Sequence, residues 1–266
     1  MAIDFNPSLS PNISKSLLQN TQQISSGKRI NQASDDPAGF AVAVDISSRI
    51  RADSSSISNA INGTSLVQVA DGGLQQINQG LFRLQELTIQ SANGTLNSSN
   101  RAALQKQADQ VLEQISQTIS STSFNGQNPL AQTSPTELQI GDSSDNNVVI
   151  QHVDLAKNFK DFGLDNFDIS SPASIENSLN SLNQAVDFVA STAAEFGASK
   201  NRLDSTVENL RSSIQSQTEA RSGIQDSDVA QAISELIKNR LLQQSLISLQ
   251  AQANAQRGEV LKLLSA

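Results

Sequence analysis

The C-terminal half of the chain carries a sustained seven-residue repeat of apolar positions between residues 175 and 214. One set of large apolar residues recurs at every seventh position, and we call it the rod seam: Leu182, Val189, Phe196, Leu203 and Leu210. A second set follows the same repeat and is interrupted only by Lys200: Leu179, Val186, Ala193, Val207 and Ile214. Such a repeat gives a helix an apolar stripe that packs on partner helices.

The N-terminal half has a second apolar stripe at helical spacing, formed by Ile46, Ile50, Ile57, Ile61, Val67, Leu74, Ile77, Leu81 and Leu84. Because neither stripe is stable in water alone, we predict that the two halves pair antiparallel in one long bundle. Glycines interrupt this segment at a cost of about 1 kcal/mol each relative to alanine. They predict either a bend or the close approach of another part of the chain: Gly63, Gly72, Gly73 and Gly80.

Breaks in the apolar pattern divide most of the chain into helices, with predicted bounds of about residues 12–26, 38–92, 99–122, 171–222 and 228–264. We expect residues 1–11 to be irregular, because Pro7 and Pro11 exclude a continuous helix there. Asp36 and Pro37 suit the start of the first long helix, since aspartate caps a helix well and proline fits its first position.

Residues 125–172 differ in character and are rich in Asn, Asp, Ser, Pro and Gly. Short apolar pieces at residues 138–140 and 148–150 predict two strands, joined by a loop over residues 141–147. The predicted fold class is therefore mainly α: an elongated antiparallel helical bundle or coiled coil with a small β-hairpin element.

The two ends of the chain mirror each other, since each joins a short helix to a long one through a polar connector. We predict a terminal helical core domain of residues 1–36 plus 224–266, and a rod domain of residues 37–223 with the β element at about 125–172. Short helices are marginal in water, so we expect the terminal helices to become ordered by packing on copies of themselves. The residues predicted to carry this axial self-assembly are Ile13, Leu17, Ile24, Ile233, Ile237, Leu241, Ile247 and Leu261.

Composition narrows the class of protein. Phe is the only aromatic residue, with nine copies among 266 residues, which favours a narrow helical seam over a compact enzyme core. A formal net charge of −8 without a basic stripe argues against binding to nucleic acid or to an anionic membrane. The absence of cysteine excludes a disulfide framework and a thiolate metal site. No apolar run is long enough for a transmembrane helix, and the N-terminus lacks the pattern of a cleavable signal peptide, which alone would predict a cytoplasmic protein.

Residues with catalytic or metal-binding chemistry are sparse. Residues 142–153 superficially resemble a calcium loop, but they lack the glycine and the final glutamate that an EF-hand needs. His152 is the only histidine and has no evident nucleophile or second ligand, so we interpret it as a surface strand residue. Aspartates at the two connectors suit helix capping better than metal binding: Asp35, Asp36, Asp226 and Asp228. We therefore predict no enzymatic activity, no cofactor and no metal.

Both ends of the chain carry a series of motifs that match one protein family. In the N-terminal half the matching segments are residues 24–39 (ISSGKRINQASDDPAG), 84–93 (LQELTIQSAN) and 122–126 (TSFNG). In the C-terminal half they are residues 220–228 (ARSGIQDSD), 250–256 (QAQANAQ) and 260–264 (VLKLL). With these motifs the chain resembles bacterial flagellin. The resemblance covers roughly residues 10–130 and 172–264, and several motifs in the right order make it specific.

The resemblance implies a structural subunit that polymerises with itself into the bacterial flagellar filament, with the terminal helices forming the filament core. It also implies a secreted, extracellular protein that needs no cleavable signal peptide and leaves the cell through the flagellar type III export apparatus. The implied partners are the flagellar cap, hook-associated proteins and an export chaperone. Because only residues 131–171 separate the two matching regions, we expect the large outer domains of many flagellins to be absent.

The resemblance further implies contact with an innate immune receptor of animals. Arg83 and Leu87 match positions that are important for that contact in the family. Gln85 stands where an arginine is common and Gln107 where an acidic residue is usual, so the sequence leaves this recognition open.

Two alternative functions fit the same pattern. A hook–filament junction protein has a similar pattern of terminal sequences, but it should join filaments and not elongate on its own. A secreted helical binding module should remain monomeric with ordered termini.

Overall fold

The structure, a computed structural model, describes residues 9–141 and 146–264, with side chains described within residues 12–256 of those ranges. The protein is mainly helical, as predicted. In chain order the helices are α1 (Leu9–Ser26), α2 (Pro37–Ser91), α3 (Ser98–Ser121), α4 (Leu155–Asp161), α5 (Pro172–Gln225) and α6 (Val229–Leu264). Between α3 and α4 lie strands β1 (Thr136–Gln139) and β2 (Asn147–Ile150), and a short 3-10 helix (Leu164–Asn166) follows α4.

Contacts group these elements into two units. The first unit comprises residues 1–50 and 215–266, and the second comprises residues 51–214. Helices α2 and α5 each contribute residues to both units. The predicted domain boundaries at 36/37 and 223/224 lie inside the first unit and remain predictions.

In the second unit, α2 buries one continuous seam whose members are three or four residues apart. They are Ala60, Gly63, Val67, Ala70, Leu74, Ile77, Leu81, Leu84, Thr88 and Ser91. This spacing is the heptad geometry of close helix packing. The predicted stripe was wrong at Ile61, which is 48% exposed, because the neighbouring Ala60 occupies the seam instead.

Helix α5 supplies the facing seam. Four of the five rod-seam residues are buried (Leu182, Val189, Phe196 and Leu203), and Leu210 is half-buried. The second buried set differs from the predicted one and consists of small residues: Ser178, Ala185 and Thr192. The Ser178 hydroxyl donates to the Asp168 carbonyl at 2.8 Å, and the Thr192 hydroxyl donates to the Phe188 carbonyl at 2.8 Å. Because these bonds satisfy both hydroxyls, small polar residues are tolerated in the core.

Helix α3 and the β-hairpin complete the core of the second unit. Leu104, Ala108, Ile115 and Ile119 form the buried side of α3. The strands pair antiparallel from Thr136 opposite Ile150 to Gln139 opposite Asn147, which confirms the predicted hairpin. Val148 and Ile150 alternate inward on β2, as expected for a strand with one buried face.

Helix α4 was missed in the sequence analysis. Asp154 caps it by accepting a hydrogen bond from the Lys157 amide at 2.9 Å, and Leu155 and Phe159 form its buried side. A helix of seven residues with two buried apolar residues is too short to show a period among polar neighbours. Two other predicted bounds were also wrong: α1 begins at Leu9, and α5 continues to Gln225. Proline is tolerated in a first helical turn, where its missing N–H has no partner to lose, so Pro11 does not exclude the earlier start.

The α2 glycines are sites of close approach. A Cβ atom at Gly80 would lie 2.7 Å from Ile115 Cγ1, and one at Gly73 would lie 2.7 Å from Thr122 Oγ1. A Cβ atom at Gly63 would overlap Leu138 of the hairpin. Gly72, in contrast, faces open space. Three of the four glycines therefore let α3 and the hairpin pack directly against α2.

His152 is buried next to Thr136 of the hairpin, so the prediction of a surface strand residue was wrong. Its side chain is buried, and its Nε2 lies 3.0 Å from Thr136 Oγ1. The Thr136 hydroxyl donates to Gln127 Oε1 at 2.8 Å, so it accepts from a protonated Nε2. The other ring nitrogen, Nδ1, is buried without a hydrogen-bond partner, and burial lowers the pKa of His152.

Within residues 9–141 and 146–264, no helix is both long and apolar enough to cross a membrane.

We predict opposite effects for two alanine substitutions in α2. Gly80→Ala should destabilise the protein, because overpacking costs about 1–3 kcal/mol and exceeds the helix-propensity gain of about 1 kcal/mol. Gly72→Ala is the matched control and should stabilise it by about 0.5–1 kcal/mol, since nothing lies within 4 Å of the added methyl group. Urea denaturation measures both changes. Equal stabilisation by the two substitutions would show that α3 does not press against Gly80.

We also predict a stability loss that depends on His152 as the pH falls below about 6.5, the ordinary pKa of histidine. The folded state lowers the pKa of this histidine, so below the ordinary pKa the unfolded chain binds a proton that the folded chain does not. The free energy of unfolding should therefore fall as pH decreases, by at most about 1.4 kcal/mol per pH unit. Urea midpoints at pH 7 and pH 5.5 measure the loss. If a His152→Gln variant showed the same pH dependence, the loss of stability could not be assigned to His152.

Candidate self-assembly surface

The connectors at the two ends of the chain hold α1 and α6 side by side. Lys28 and Asp226 form an isolated antiparallel bridge. The Arg29 amide donates to the Gln225 carbonyl at 2.7 Å, and the Ser227 amide donates to the Gly27 carbonyl at 3.0 Å. Since the end of α1 therefore meets the start of α6, the two helices pack antiparallel.

Side chains reinforce this junction. The Arg29 guanidinium donates from Nη2 to the Ile224 carbonyl at 2.7 Å, and Gln225 Nε2 donates to the Ile30 carbonyl at 3.2 Å. Ile30 lies fully buried in the connector. Gly27 has φ of 69°, a left-handed conformation that favours glycine, and it ends α1 sharply. Hydrogen bonds, a buried side chain and a tight turn therefore fix the junction between the two connectors.

Three of the connector aspartates accept hydrogen bonds from backbone amides. Asp36 Oδ1 accepts from the Gly39 amide at 3.0 Å, and Asp228 Oδ1 accepts from the Ala230 and Gln231 amides at 2.9 and 3.1 Å. Asp35 accepts from the Asn31 and Gln32 amides, and the Asn31 bond above all lowers the pKa of this carboxyl group. Within the described ranges, no group of three or more histidine, aspartate or glutamate residues is placed to hold a metal ion.

The inner side of the α1–α6 pair is only partly apolar. On α1, Ile13, Leu17 and Ile24 are half-buried, and Asn20 is buried. On α6 the covered positions recur three or four residues apart: Ala232, Leu236, Asn239, Gln243 and Leu246. The Asn20 side chain is 6% exposed, and its Nδ2 has no hydrogen-bond partner. Polar groups therefore occupy positions that a stable helix pair would normally fill with apolar side chains.

The outer sides of the same pair carry large apolar residues in contact with solvent, and we call them the exposed terminal set. Its members, with their exposed fractions, are Leu18 (73%), Ile233 (42%), Ile237 (53%), Leu241 (59%), Leu242 (44%), Ile247 (60%) and Leu249 (55%). On α6 these residues lie around most of the helix circumference, because successive residues turn by about 100°. Helix α1 covers only one side of α6. A helix with apolar residues all round is normally buried by several neighbours.

The residues predicted for axial self-assembly fall into three groups. Ile233, Ile237, Leu241 and Ile247 belong to the exposed terminal set. Ile13, Leu17 and Ile24 are half-buried in the α1–α6 pair, while the side chain of Leu261 lies outside the described part of the chain. Leu18, Leu242 and Leu249 were not predicted, since they lie off the single stripe that the periodicity indicated.

The other predicted residues lie in the second unit. Arg83 and Gln107 are exposed, and Arg83 Nη1 pairs with Glu86 Oε2 at 2.6 Å. Leu87 is 1% exposed within the core, so a partner could touch its side chain only if the core opened. The calcium-loop candidate falls partly on residues 142–145, which lie outside the described residues.

Two regions of this chain match the same family of known proteins. The bacterial flagellin N-terminal helical region matches residues 7–134, and the bacterial flagellin C-terminal helical region matches residues 179–264. Flagellin FlaB2 of Treponema pallidum is 31% identical over 264 residues, covering 94% of this chain and 92% of that protein. The likeness therefore extends over nearly the full length of both proteins.

Solved structures share the fold. The crystal structure of Bacillus cereus flagellin matches with a TM-score of 0.52 and 27% identity, over 57% of this chain and 88% of that one. A putative flagellar hook-associated protein from Vibrio parahaemolyticus matches with a TM-score of 0.64 and 14% identity, over 72% of this chain and 100% of that one. At such low identity the second likeness shows the fold alone.

We predict that Asn20→Leu strengthens the α1–α6 pair. The substitution removes a buried amide that lacks a partner, a defect worth about 1–3 kcal/mol. Hydrogen exchange of the α1 amides should slow accordingly. Asn12→Leu, at an exposed position of the same helix, is the control and should leave the exchange rates unchanged. Faster exchange in Asn20→Leu would mean that the amide holds the pair together.

Proposed function

Since the chain belongs to the bacterial flagellin family, the structural subunits of the flagellar filament, we propose that the exposed terminal set forms the contacts by which it polymerises. The observation that carries this proposal is the exposure of large apolar residues around α6. Each fully buried leucine or isoleucine contributes about 1.5–3 kcal/mol, so covering this set supplies a large driving force for association. Monomeric soluble proteins rarely leave such a surface uncovered.

The positions of the exposed terminal set around α6 indicate what kind of assembly would bury it. A two-fold dimer would cover one further side of α6 and leave the remaining apolar residues in water. Covering every side requires several neighbouring copies around each α6 helix. Contacts between two different surfaces are heterologous, and they generate extended helical arrays when the rotation between neighbouring copies does not close a ring. The terminal helices would then form the core of the filament, with Ile13, Leu17 and Ile24 on α1 facing α6.

Charge sets the conditions for assembly. The formal net charge of −8 keeps separate subunits apart in dilute salt, and added salt screens that repulsion. We therefore expect polymerisation to become more favourable as salt concentration rises, since apolar burial supplies the attraction.

The family places the chain in the extracellular flagellar filament, and flagellins are structural proteins. We propose the partners that the family resemblance implies: the flagellar cap, hook-associated proteins, an export chaperone and the type III export apparatus. The hook–filament junction alternative has less support, because Flagellin FlaB2 matches this chain over nearly the full length of both proteins, whereas the hook-associated structure shares only the fold. A junction protein would also fail to elongate from seeds of its own kind.

A substitution on α6 tests the proposal. Leu241→Asp should raise the critical concentration for polymerisation more than tenfold, since it removes about 1.5–3 kcal/mol of apolar burial and buries an unpaired carboxylate. Leu241 is 59% exposed in the single chain, so the fold of the monomer should be unaffected. Sedimentation of filaments grown from sheared seeds measures the critical concentration.

Asn201→Asp provides the matched control. Asn201 is an exposed residue of α5 in the second unit and does not belong to the exposed terminal set, so the variant adds the same charge without touching that set. This variant should polymerise as the parent protein does. Normal filaments from Leu241→Asp would show that the exposed terminal set is not the assembly surface.

A further inference from the structure

An apolar groove opens on the second unit, between α3 and the segment that contains α4. Its floor is formed by Leu112, Ile115, Ile119, Phe159 and Leu164, and its volume is about 180 Å³. Ser116 and Ala156 lie at its rim and are exposed. Small-molecule sites usually measure about 300–1,000 Å³, so this groove is too small for a cofactor and suits a single large side chain.

A second apolar feature lies on the outer side of α2, and we call it the α2 outer stripe. It consists of Ile61 (48% exposed), Val69 (36%), Phe82 (51%) and Ile89 (65%). Phe82 and Ile89 are seven residues apart, so they lie above one another on the same face of the helix. Phe82 presents a large aromatic ring in a chain with nine Phe residues and no other aromatic residue. Neither α3 nor α5 covers these residues in the single chain.

Charged residues flank both features in a complementary way. Beside Phe82, the exposed Arg83 and Glu86 side chains pair with each other at 2.6 Å. At the rim of the groove stand Lys160 and Asp165. Neither of these rim side chains has an ion-pair partner within the described part of the chain.

From these observations we propose that the α2 outer stripe of one subunit docks on the α3–α4 groove of a second copy, with Phe82 inserted in the groove. In that contact Glu86 faces Lys160 and Arg83 faces Asp165. Exposed charge pairs contribute little affinity, but they orient the two surfaces and suppress wrong registers. Burial of the Phe82 ring supplies most of the affinity, because an aromatic anchor in a pocket is the usual centre of an interface.

The location of the two surfaces fits an open polymer. No residue is shared between the α2 outer stripe and the α3–α4 groove, so each subunit can use both at once. Contacts between two different surfaces of the same protein are heterologous and propagate from copy to copy. This inference rests on the proposed function, and it adds a contact in the second unit to the one made by the terminal helices.

Crosslinking in filaments tests the contact directly. The chain has no cysteine, so Phe82→Cys combined with Ser116→Cys places one thiol on each surface and none elsewhere. Both positions are exposed in the single chain, which leaves its fold intact. A short thiol-reactive crosslinker applied to filaments should give a ladder of covalent dimers, trimers and longer multiples on a denaturing gel. The control pair, Phe82→Cys with Glu208→Cys, places the second thiol at an exposed position on α5 and should give no ladder.

The energetic test uses the critical concentration. Phe82→Ala should raise it about tenfold or more, because the docked ring loses its burial. Thermal unfolding of the monomer should not change, since the ring is half exposed there. An unchanged critical concentration together with no 82–116 crosslink would overturn this inference while leaving intact the role of the terminal helices. Failure of the parent protein to polymerise at all would instead count against the proposed function.

A charge exchange separates specific docking from general apolar adhesion. Lys160→Glu should raise the critical concentration about two- to fivefold, since it places two carboxylates together. Adding Glu86→Lys should restore the parent value, because the pair is then re-formed with reversed signs. If the two substitutions simply add, Lys160 and Glu86 do not face each other and the proposed register is wrong.

Discussion

The close packing of α2 against its neighbours is the constraint on which the rest of the second unit depends. Its buried seam contains large residues, such as Leu74 and Leu81, together with small ones such as Gly63 and Ala70. Small residues in the seam and beside it allow other elements to come near: Leu203 of α5 and the hairpin approach Gly63 in the seam, and Ile115 of α3 approaches Gly80 beside it. Because protein cores are packed like crystals, larger residues at these places would push the helices apart.

At the ends of the chain, in contrast, many large apolar residues are not buried. In the second unit, apolar residues of α2, α3, α5 and the hairpin meet in one core cluster. In the first unit, α1 and α6 share a seam that includes polar side chains, while leucines and isoleucines of α6 face solvent. A helix pair of this composition becomes stable only when further apolar surfaces cover its exposed residues. These uncovered residues are the surface that we propose for assembly.

Polar chemistry in this protein is used to shape the backbone. Connector aspartates cap α2 and α6 or close the turn between α1 and α2, and Arg29 and Gln225 hold the two connectors together. Even the only histidine is buried under the hairpin, where its hydrogen bond to Thr136 ties the end of one strand to the start of the other. Such groups orient the helices and so decide which apolar residues remain available to neighbouring subunits.

Much of this architecture was present in the order of residues. The seven-residue repeat predicted α5 and the burial side on which Leu182 and Leu203 lie, and the apolar pieces around Leu138 and Val149 predicted the hairpin. Helix bounds were mostly found within a few residues, because capping aspartates and glycines act locally. The apolar residues predicted on α6 also proved to be largely exposed, although the stripe omitted Leu242 and Leu249.

Other features were decided only when the helices came together. Periodicity identifies one side of a helix, but the distance to the next backbone determines whether that side accepts Ile61 or Ala60, and Leu179 or Ser178. Helix α4 needed the existing core for its two buried residues, and the groove beside it exists only because α3 lies next to it. The sequence by itself determined the five longer helices and the apolar stripe that each of them carries. Tertiary structure decided which of those residues remain uncovered, because burial depends on neighbours that no local pattern contains.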